Sequence, residues 1–186
     1  MTLIVKNMVC PRCIAAVERI FAASGIAVRS VTLGEVTLDG ALSEADRADL
    51  AARLSAEGFE LLEDRRQQTI EAVKCALVER VRGPLPLPEG RLSDYLSERL
   101  LRDYNYLSTL FSETYGCTIE HYYIRLKIER AKELLVYGES TLAQIAFLLG
   151  YSSTAHLSAQ FKRMTGLTPS AYKRSPVRSR RSLDDL

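Results

Sequence analysis

The chain has 186 residues, which is enough for one large or two small domains. Hydrophobic residues make up 47% of it, as in ordinary proteins that bury a core. Its nearly apolar stretches, such as residues 142–150, are far too short to cross a bilayer. The segment Met1 to Cys13 lacks the pattern of a secretion signal. We therefore expect a cytoplasmic protein with no membrane partner, whose four cysteines are thiols or metal ligands before they are disulfides.

The formal net charge of +2 is unevenly divided along the chain. Residues 1–90 carry 11 basic and 13 acidic side chains, whereas residues 91–186 carry 14 and 10. This mild basic excess in the second part favours a polyanionic partner, although a solvated surface explains it almost as well.

Proline spacing predicts the main division of the chain. Residues 83–90 read GPLPLPEG, and alternating prolines prevent a helix or a central strand from running through them. We predict a first domain at residues 1–64, a connecting helix and Pro-rich linker at 65–90, a second domain at 91–174, and a disordered tail at 175–186.

The first domain is predicted to alternate strands and helices. Hydrophobic periodicity and turn residues indicate strands at 3–5, 26–33, 36–38 and 59–62, with helices at 13–24 and from Ser43 to Gly58. The order strand-helix-strand-strand-helix-strand is that of the ferredoxin-like split βαβ fold. A further helix at 65–82 either packs on its own domain or supports dimerisation.

The second domain is predicted to be all helical, so the chain as a whole is α+β. Helices are expected at about 92–100, with Ser93 as the cap, and at 104–115, 119–137, 141–149 and 154–165. The last of these ends at Gly166 and Pro169. The arrangement "short helix, tight turn, second helix" occurs twice, and one long helix joins the two copies. An ordinary helical bundle has the same periodicity, so periodicity alone does not identify helix-turn-helix units.

Residue identity distinguishes these alternatives. Residues 92–173 resemble the AraC/XylS family of transcriptional regulators through Ile145-Ala146, Gly150-Tyr151, Phe161-Lys162, Gly166 and Thr168-Pro169, with upstream agreement at residues 106–111, Gly116, Ala131 and Leu134-Leu135. The resemblance implies a non-enzymatic, sequence-specific regulator whose two recognition helices enter successive major grooves of double-stranded DNA. A homodimer and contact with RNA polymerase remain open partner alternatives.

The same resemblance implies which residues meet DNA. The base-facing positions map onto Asn105, Ser108 and Thr109 in the first unit and onto Thr154, Ala155, Ser158 and Ala159 in the second. The residues of the first unit can exchange hydrogen bonds with base edges, whereas those of the second suit contact with thymine methyl groups and DNA shape. Lys162 and Arg163 suit phosphate contacts, although a solvated helix end explains either residue, taken singly, about as well.

Two cysteines lie where the first strand meets the first helix. Cys10 and Cys13, in the sequence Met8-Val9-Cys10-Pro11-Arg12-Cys13, form a soft two-sulfur pair beside a helix N-terminus that favours thiolate. This pair suits Cu(I) or another thiophilic ion better than a hard cation. The motif resembles that of heavy-metal-associated domains, except that Asn7 stands where these usually have glycine.

Three interpretations of the first domain remain open from the sequence. It senses a metal for the DNA-binding half, with no other cofactor required; it serves only for dimerisation or partner binding; or its cysteines form a redox pair. A metallochaperone and a thiol oxidoreductase are the alternative functions, but neither requires two recognition helices.

Overall fold

The computed structural model describes residues 1–174. The predicted tail at 175–186 lies outside the described residues. Both strands and helices are present, and the chain divides into two compact units, one at Met1–Ala76 and the other from Leu77 onward. Among the described residues, no helix combines the length and the apolar character that crossing a membrane requires.

The first unit contains a four-stranded antiparallel sheet and two helices that connect its strands. The elements are β1 (Thr2–Lys6), α1 (Pro11–Ala23), β2 (Val28–Thr32), β3 (Glu35–Leu38), α2 (Glu44–Ala56) and β4 (Glu60–Leu62). The strand order across the sheet is β2-β3-β1-β4, with Leu3 opposite Val36 and Val5 opposite Leu61. The predicted succession of strands and helices is confirmed in this unit.

Alternation along the strands and helical periodicity place one core in this unit. Successive side chains of a strand point to opposite faces, so Leu3 and Val5 of β1 are buried together. Phe21 of α1 and Leu54 of α2 join them in the same cluster. Ser43 caps α2 by accepting a hydrogen bond from the Asp46 N–H at 3.1 Å, as its position three residues earlier predicts.

Helix α3 (Arg65–Arg82) follows β4, and the division between the two compact units falls within it. Ile70, Val73, Leu77 and Val81, which the sequence places on one stripe, are all buried. The sequence assigns the whole of α3 to a connecting segment between the two domains. Those domain bounds remain a prediction, and the structure divides the chain within α3.

The second unit is helical after α3. It contains α4 (Leu92–Leu100), α5 (Tyr104–Tyr115), α6 (Ile119–Tyr137), α7 (Leu142–Leu148), α8 (Thr154–Thr165) and α9 (Pro169–Arg174). Helix α9 was not predicted: Pro169 begins this helix instead of only ending the previous one, and Thr168 accepts a hydrogen bond from the Ala171 N–H at 3.2 Å. Proline is favoured at the first helical position, where no N–H is needed.

The prediction that Ser93 caps α4 is wrong. The N-cap is Arg91, which makes no capping hydrogen bond through its side chain, and the Ser93 hydroxyl donates to the Asp94 carboxylate at 3.0 Å. Helix α4 thus begins one residue after Arg91, and its first turn includes Ser93. Packing of Leu96, which is fully buried, positions this helix without a side-chain cap.

The Pro-rich segment, residues 83–90, packs on the helices of the second compact unit, to which it belongs. Leu87 is buried in the same core cluster as Ile145, Leu149 and Phe161, and its N–H donates to the Leu148 carbonyl at 2.8 Å. The segment has no helix or strand, as its prolines predict. It is nevertheless held by core packing and by backbone hydrogen bonding.

Candidate nucleic-acid interface and cysteine pair

Helices α4 and α5 form the first helix-turn-helix unit. Leu101 ends α4 in the left-handed region at φ 51°, which lets the chain reverse within the residues that precede Asp103. Asp103 caps α5 by accepting a hydrogen bond from the Tyr106 N–H at 3.1 Å. The inner face of α5 buries Leu107, Leu110 and Phe111, as predicted. The opposite face of α5 is consequently free of these core contacts.

The predicted DNA-facing residues of the first unit lie on the outer side of α5. Asn105 and Thr109 are exposed, and Ser108 is half-buried beside them. Their spacing of three and four residues places the three side chains next to each other on a helix surface. They offer one amide and two hydroxyl groups, which both donate and accept hydrogen bonds. Tyr106 is also exposed, with the Arg102 guanidinium 5.9 Å from its ring centroid.

Helices α7 and α8 form the second helix-turn-helix unit. Thr141 and Gln144 make the predicted capping box at the start of α7, with the Thr141 N–H donating to the Gln144 amide oxygen at 2.7 Å. The chain turns at Gly150, whose φ of 64° favours glycine, and Ser153 caps α8 by accepting from the His156 N–H at 3.1 Å. Ala146 is buried, as a close crossing of the two helices requires.

The predicted residues of the second unit also lie on an outer surface. Thr154, Ala155 and Ala159 are exposed on α8, and Ser158 is half-buried. The exposed pair Lys162 and Arg163 occupies the last turn of the helix. All these side chains belong to one helix, so short uncharged groups occupy its first half and cations its end. Leu157 and Phe161 fill the core on the other side.

The two helix-turn-helix units repeat each other after fifty residues, in more detail than the hydrophobic periodicity of the sequence indicates. Ser153 caps α8 fifty positions after Asp103 caps α5, and each helix has twelve residues and ends at a glycine in the left-handed region. Phe111 meets Tyr122 edge to face at 5.5 Å between ring centroids, and Phe161 meets Tyr172 in the same way at 5.5 Å. The repeat explains α9, which corresponds to the first turns of α6.

Helix α6 links the two units and is held by polar contacts as well as by its core. The Tyr104 hydroxyl at the start of α5 donates to the Glu120 carboxylate in the first turn of α6. Burial acts to raise the pKa of Glu120, but the hydrogen bonds from Tyr104, from the Glu120 backbone and from Thr118 together outweigh it and leave that pKa lowered. Further along α6, the buried Lys132 ammonium donates to Glu129 at 2.6 Å. The Tyr104–Glu120 bond joins α5 to α6, whereas the Lys132–Glu129 pair lies within α6.

The two N-terminal cysteines lie close together in the first compact unit, Met1–Ala76. Cys10 is the N-cap of α1, Pro11 follows at the first helical position, and the Cys10 and Cys13 Sγ atoms are 3.3 Å apart. Both side chains are partly exposed. Met8 of the motif is buried in the core, so its sulfur does not accompany the thiols. Within residues 1–174, no group of three or more His, Cys, Asp or Glu side chains forms a metal site.

Two details of this loop differ from simple expectation. A helix N-terminus favours thiolate, yet burial of Cys13, together with the hydrogen bond between the Cys10 and Cys13 sulfur atoms, raises the pKa of the Cys13 thiol. Asn7, which stands where related motifs have glycine, adopts φ 73°. Asparagine tolerates this conformation better than most residues, and the Asn7 side chain donates to the Gly58 carbonyl at 2.9 Å.

The C-terminal half matches known proteins. Residues 96–175 match a family model described as "Helix-turn-helix domain". A protein of Streptomyces lividans described as an AraC-like transcription regulator is 40% identical over 71 residues, which are 38% of this chain and 23% of that protein. The C-terminal part of the chain is therefore similar to a helix-turn-helix domain and to a part of an AraC-like regulator.

Other relatives match the same portion of the chain. The transcriptional regulator LumQ of Photobacterium leiognathi is 34% identical over 64 residues, 34% of this chain and 26% of that protein. The transcriptional activator RhaR of Pectobacterium carotovorum is 36% identical over 67 residues, 36% of this chain and 24% of that protein. The chain thus spans about a quarter of the length of these curated relatives.

Two solved structures are similar at lower identity. The C-terminal domain of AraT, a response regulator from Geobacillus stearothermophilus, is 22% identical, with a TM-score of 0.45 over 61% of this chain and 86% of that one. An AraC-type regulator from Chromobacterium violaceum is 23% identical, with a TM-score of 0.48 over 56% of this chain and 95% of that one.

Proposed function

We propose that the protein is a cytoplasmic transcriptional regulator that binds double-stranded DNA in a sequence-specific manner. Helices α5 and α8 act as recognition helices in successive major grooves, with α6 setting the distance between them. A helix fits the major groove of B-DNA, and successive grooves on one face lie about 34 Å apart. The protein's role is in binding rather than catalysis.

The repeated outer surface of α5 and α8 is the observation that carries this proposal. In each helix, the second, fifth and sixth residues have short side chains that are exposed or half-buried. The inner face of each helix is committed to the core. A helical bundle with no DNA partner needs the inner faces but gains nothing from two matching outer faces.

Charge supports the same assignment. The exposed Lys162 and Arg163 are suited to phosphates, which give affinity and salt dependence without reading sequence. Asn105 is the residue of the first surface best suited to adenine, because an amide pairs with the adenine N6 and N7 groups. Ala155 and Ala159 suit thymine methyl groups. The two surfaces therefore read different base steps.

Selection from random duplex DNA tests this function. We expect the full chain to enrich sites that contain two short determinants separated by about one helical turn, roughly 10 base pairs. Binding that shows no enrichment, or a single determinant alone, contradicts the proposal.

Matched variants sharpen the test. Ala155→Glu places a negative charge on the outer face of α8, whereas Ala52→Glu makes the same change at an exposed alanine of α2. We expect Ala155→Glu to weaken binding to the selected site at least tenfold, which is about 1.4 kcal/mol, and Ala52→Glu to leave it unchanged. Equal effects of the two variants would count against α8 as a recognition helix.

For the first unit, we propose a ferredoxin-like domain of the heavy-metal-associated kind in which Cys10 and Cys13 hold a thiophilic ion such as Cu(I). The 3.3 Å separation of the two sulfur atoms favours this over cysteines placed by chance. Two soft sulfur donors fit an ion that accepts few ligands, and the buried Met8 adds no third donor. When bound, the ion supplies a charge and a cross-link that the free thiols lack.

Replacement of the cysteines tests this second proposal. We expect Cys10→Ser/Cys13→Ser to lose stoichiometric Cu(I) binding, to keep the DNA affinity of the metal-free protein, and to lose any change of that affinity with copper. Cys117→Ser, at a partly exposed cysteine of the second unit, is the matched control. If the double variant responds to copper as the wild type does, the sensor assignment is wrong.

The alternatives for the first unit predict different results. A dimerisation module gives a concentration-dependent molecular mass that neither copper nor the cysteine changes affect. A metallochaperone passes Cu(I) to an acceptor with no change in DNA binding. A thiol oxidoreductase reduces a disulfide substrate, and Cys10→Ser abolishes this activity.

A further inference from the structure

A pocket in the second unit combines cationic groups with an apolar wall. Its volume is about 290 Å³, close to the lower end of the usual range for small-molecule sites. Arg80 of α3, residues 87–90 of the Pro-rich segment and the α6 residues Tyr123 and Lys127 line it. Leu149 and Gly150, the turn between α7 and α8, complete the lining together with Leu92.

Lys127 is the first unmatched cation of this pocket. Its Nζ atom lies 4.0 Å from the centroid of the Tyr151 ring and 5.7 Å from that of Tyr123. Within residues 1–174, no carboxylate pairs with it. Burial lowers the pKa of Lys127 to about 8, so an anion beside the ammonium group would relieve an existing desolvation cost.

Arg80 is the second cation, and it is only partly satisfied. The residue is 8% exposed, its Nη2 atom donates to the Pro88 carbonyl at 3.0 Å, and its guanidinium lies 4.4 Å over the Tyr95 ring. Its Nε atom is buried and has no hydrogen-bond acceptor in the described part of the chain. The Nη2 atom also donates to the Gly90 carbonyl, at 3.4 Å, so both of these hydrogen bonds go to neutral carbonyls and no carboxylate neutralises the guanidinium charge in the described part of the chain.

The remaining lining defines the rest of the ligand. Leu87, Leu92 and Leu149 provide an apolar wall, and the acidic residue of the lining, Glu89, is exposed to solvent. Tyr151, whose ring faces the Lys127 ammonium group, lies behind this lining, and its hydroxyl is buried without a hydrogen-bond partner among the described residues. The pocket therefore offers two positively charged hydrogen-bond donors, Arg80 and Lys127, together with an apolar wall of leucines.

We propose that this pocket binds a small organic carboxylate, whose oxygens accept hydrogen bonds from Arg80 and Lys127 and whose apolar body contacts the leucine wall. The ligand would contact Leu149 and Gly150, the turn that directs α8, and would thereby regulate DNA binding by the second unit. This regulatory part rests on the proposed function, whereas carboxylate binding itself does not.

Direct titration of the full chain tests carboxylate binding. The probe is cyclohexanecarboxylate, followed by heteronuclear NMR or calorimetry, and its neutral amide is the control ligand. We expect the carboxylate to bind and the amide to bind at least tenfold more weakly. Absence of carboxylate binding, or equal binding of the two compounds, overturns the proposal.

Three variants locate the site. We expect Lys127→Met to weaken carboxylate binding at least tenfold, Glu89→Gln to tighten it by removing a negative charge, and Lys6→Met, at a lysine of the first unit, to leave it unchanged. Glu89 is exposed, so its variant tests the site even if Lys127→Met fails to fold. Binding that is insensitive to both Lys127 and Glu89 lies elsewhere and contradicts the assignment.

DNA affinity is a separate measurement. If the ligand-free Lys127→Met protein binds selected DNA with a reduced salt dependence, the pocket contacts a DNA phosphate and the ligand proposal falls. If random-duplex selection fails but carboxylate binding follows the expected order, the DNA-binding function falls and the ligand site stands.

Discussion

Two phenylalanines of the second helix-turn-helix unit differ in their surroundings. Phe161 is 0% exposed and meets Tyr172 edge to face, whereas Phe147 on α7 is 68% exposed. We expect Phe161→Ala to lower the free energy of unfolding by about 3–5 kcal/mol, because it leaves a cavity, and Phe147→Ala to change it by less than about 0.5 kcal/mol. Urea denaturation measures both, and a comparable loss in the two variants would contradict the observed packing.

Lys127 predicts a pH dependence of stability. Its pKa is lowered from 10.5 to about 8, so between these values the unfolded state binds more protons than the folded state. Its contribution to the free energy of unfolding therefore rises with pH in that window, and its destabilising effect is fully present below about pH 8. Arg80, Tyr123, Tyr151 and Glu89 are the other titratable or charged groups at this place.

The measurement compares the wild type with Lys127→Met. From about pH 7.5 to about pH 9.5, below the ordinary range of tyrosine titration, we expect the wild type to gain stability relative to the variant. Parallel curves for the two proteins in urea denaturation would show that Lys127 is not desolvated.

The burial of an individual side chain was predictable wherever the hydrophobic periodicity of its helix was clear. Leu107, Phe111 and Leu157 are buried because each repeats at helical spacing beside other apolar residues. The raised pKa of the Cys13 thiol was not predictable, because it depends on burial by residues distant in sequence. The same is true of Arg80 and Lys127, which lie 47 positions apart and meet only when the chain folds.

At the level of the element, the short helix α7 depends on its cap. It has seven residues, and its first turn is held by the capping box of Thr141 and Gln144. We expect Thr141→Ala to lower the free energy of unfolding by about 1 kcal/mol, because the Gln144 N–H loses its acceptor. Thr141→Ser keeps the hydroxyl and is the matched control in thermal and urea denaturation. An unchanged stability of Thr141→Ala would mean that packing alone holds α7.

Elements with clear start and stop residues were predicted closely, whereas the cap of α4 and the whole of α9 were not. Helices α5 and α8 have a capping residue before them and a glycine after them, and their bounds are as predicted. Helix α4 lacks a side-chain cap, so the sequence suggested the nearby Ser93 instead. Helix α9 has six residues and few positions to show periodicity, and comparison with the start of α6 was the signal that could have revealed it.

At the scale of the whole molecule, the salt dependence of DNA binding separates phosphate contacts from other effects. Lys162 is exposed in the last turn of α8. We expect Lys162→Ala to weaken binding similarly on all sequences and to reduce the slope of log affinity against log salt by about 0.9, because one fewer phosphate is neutralised. Lys6→Ala, an equal loss of charge in the first unit, should leave that slope unchanged. An unaltered slope in Lys162→Ala would remove this residue from the interface.

The fifty-residue repeat relates two helix-turn-helix units that have the same caps, helix lengths and core contacts but different side chains on their outer surfaces. The frame positions agree, from the caps Asp103 and Ser153 to the two Phe–Tyr pairs, but Asn105 has its counterpart in Ala155 and Thr109 in Ala159. A single chain that binds through both helices therefore favours a DNA site that is not palindromic. Under the proposed function, the target has a left and a right end, and inverting that target within a promoter turns the bound protein to face the opposite way.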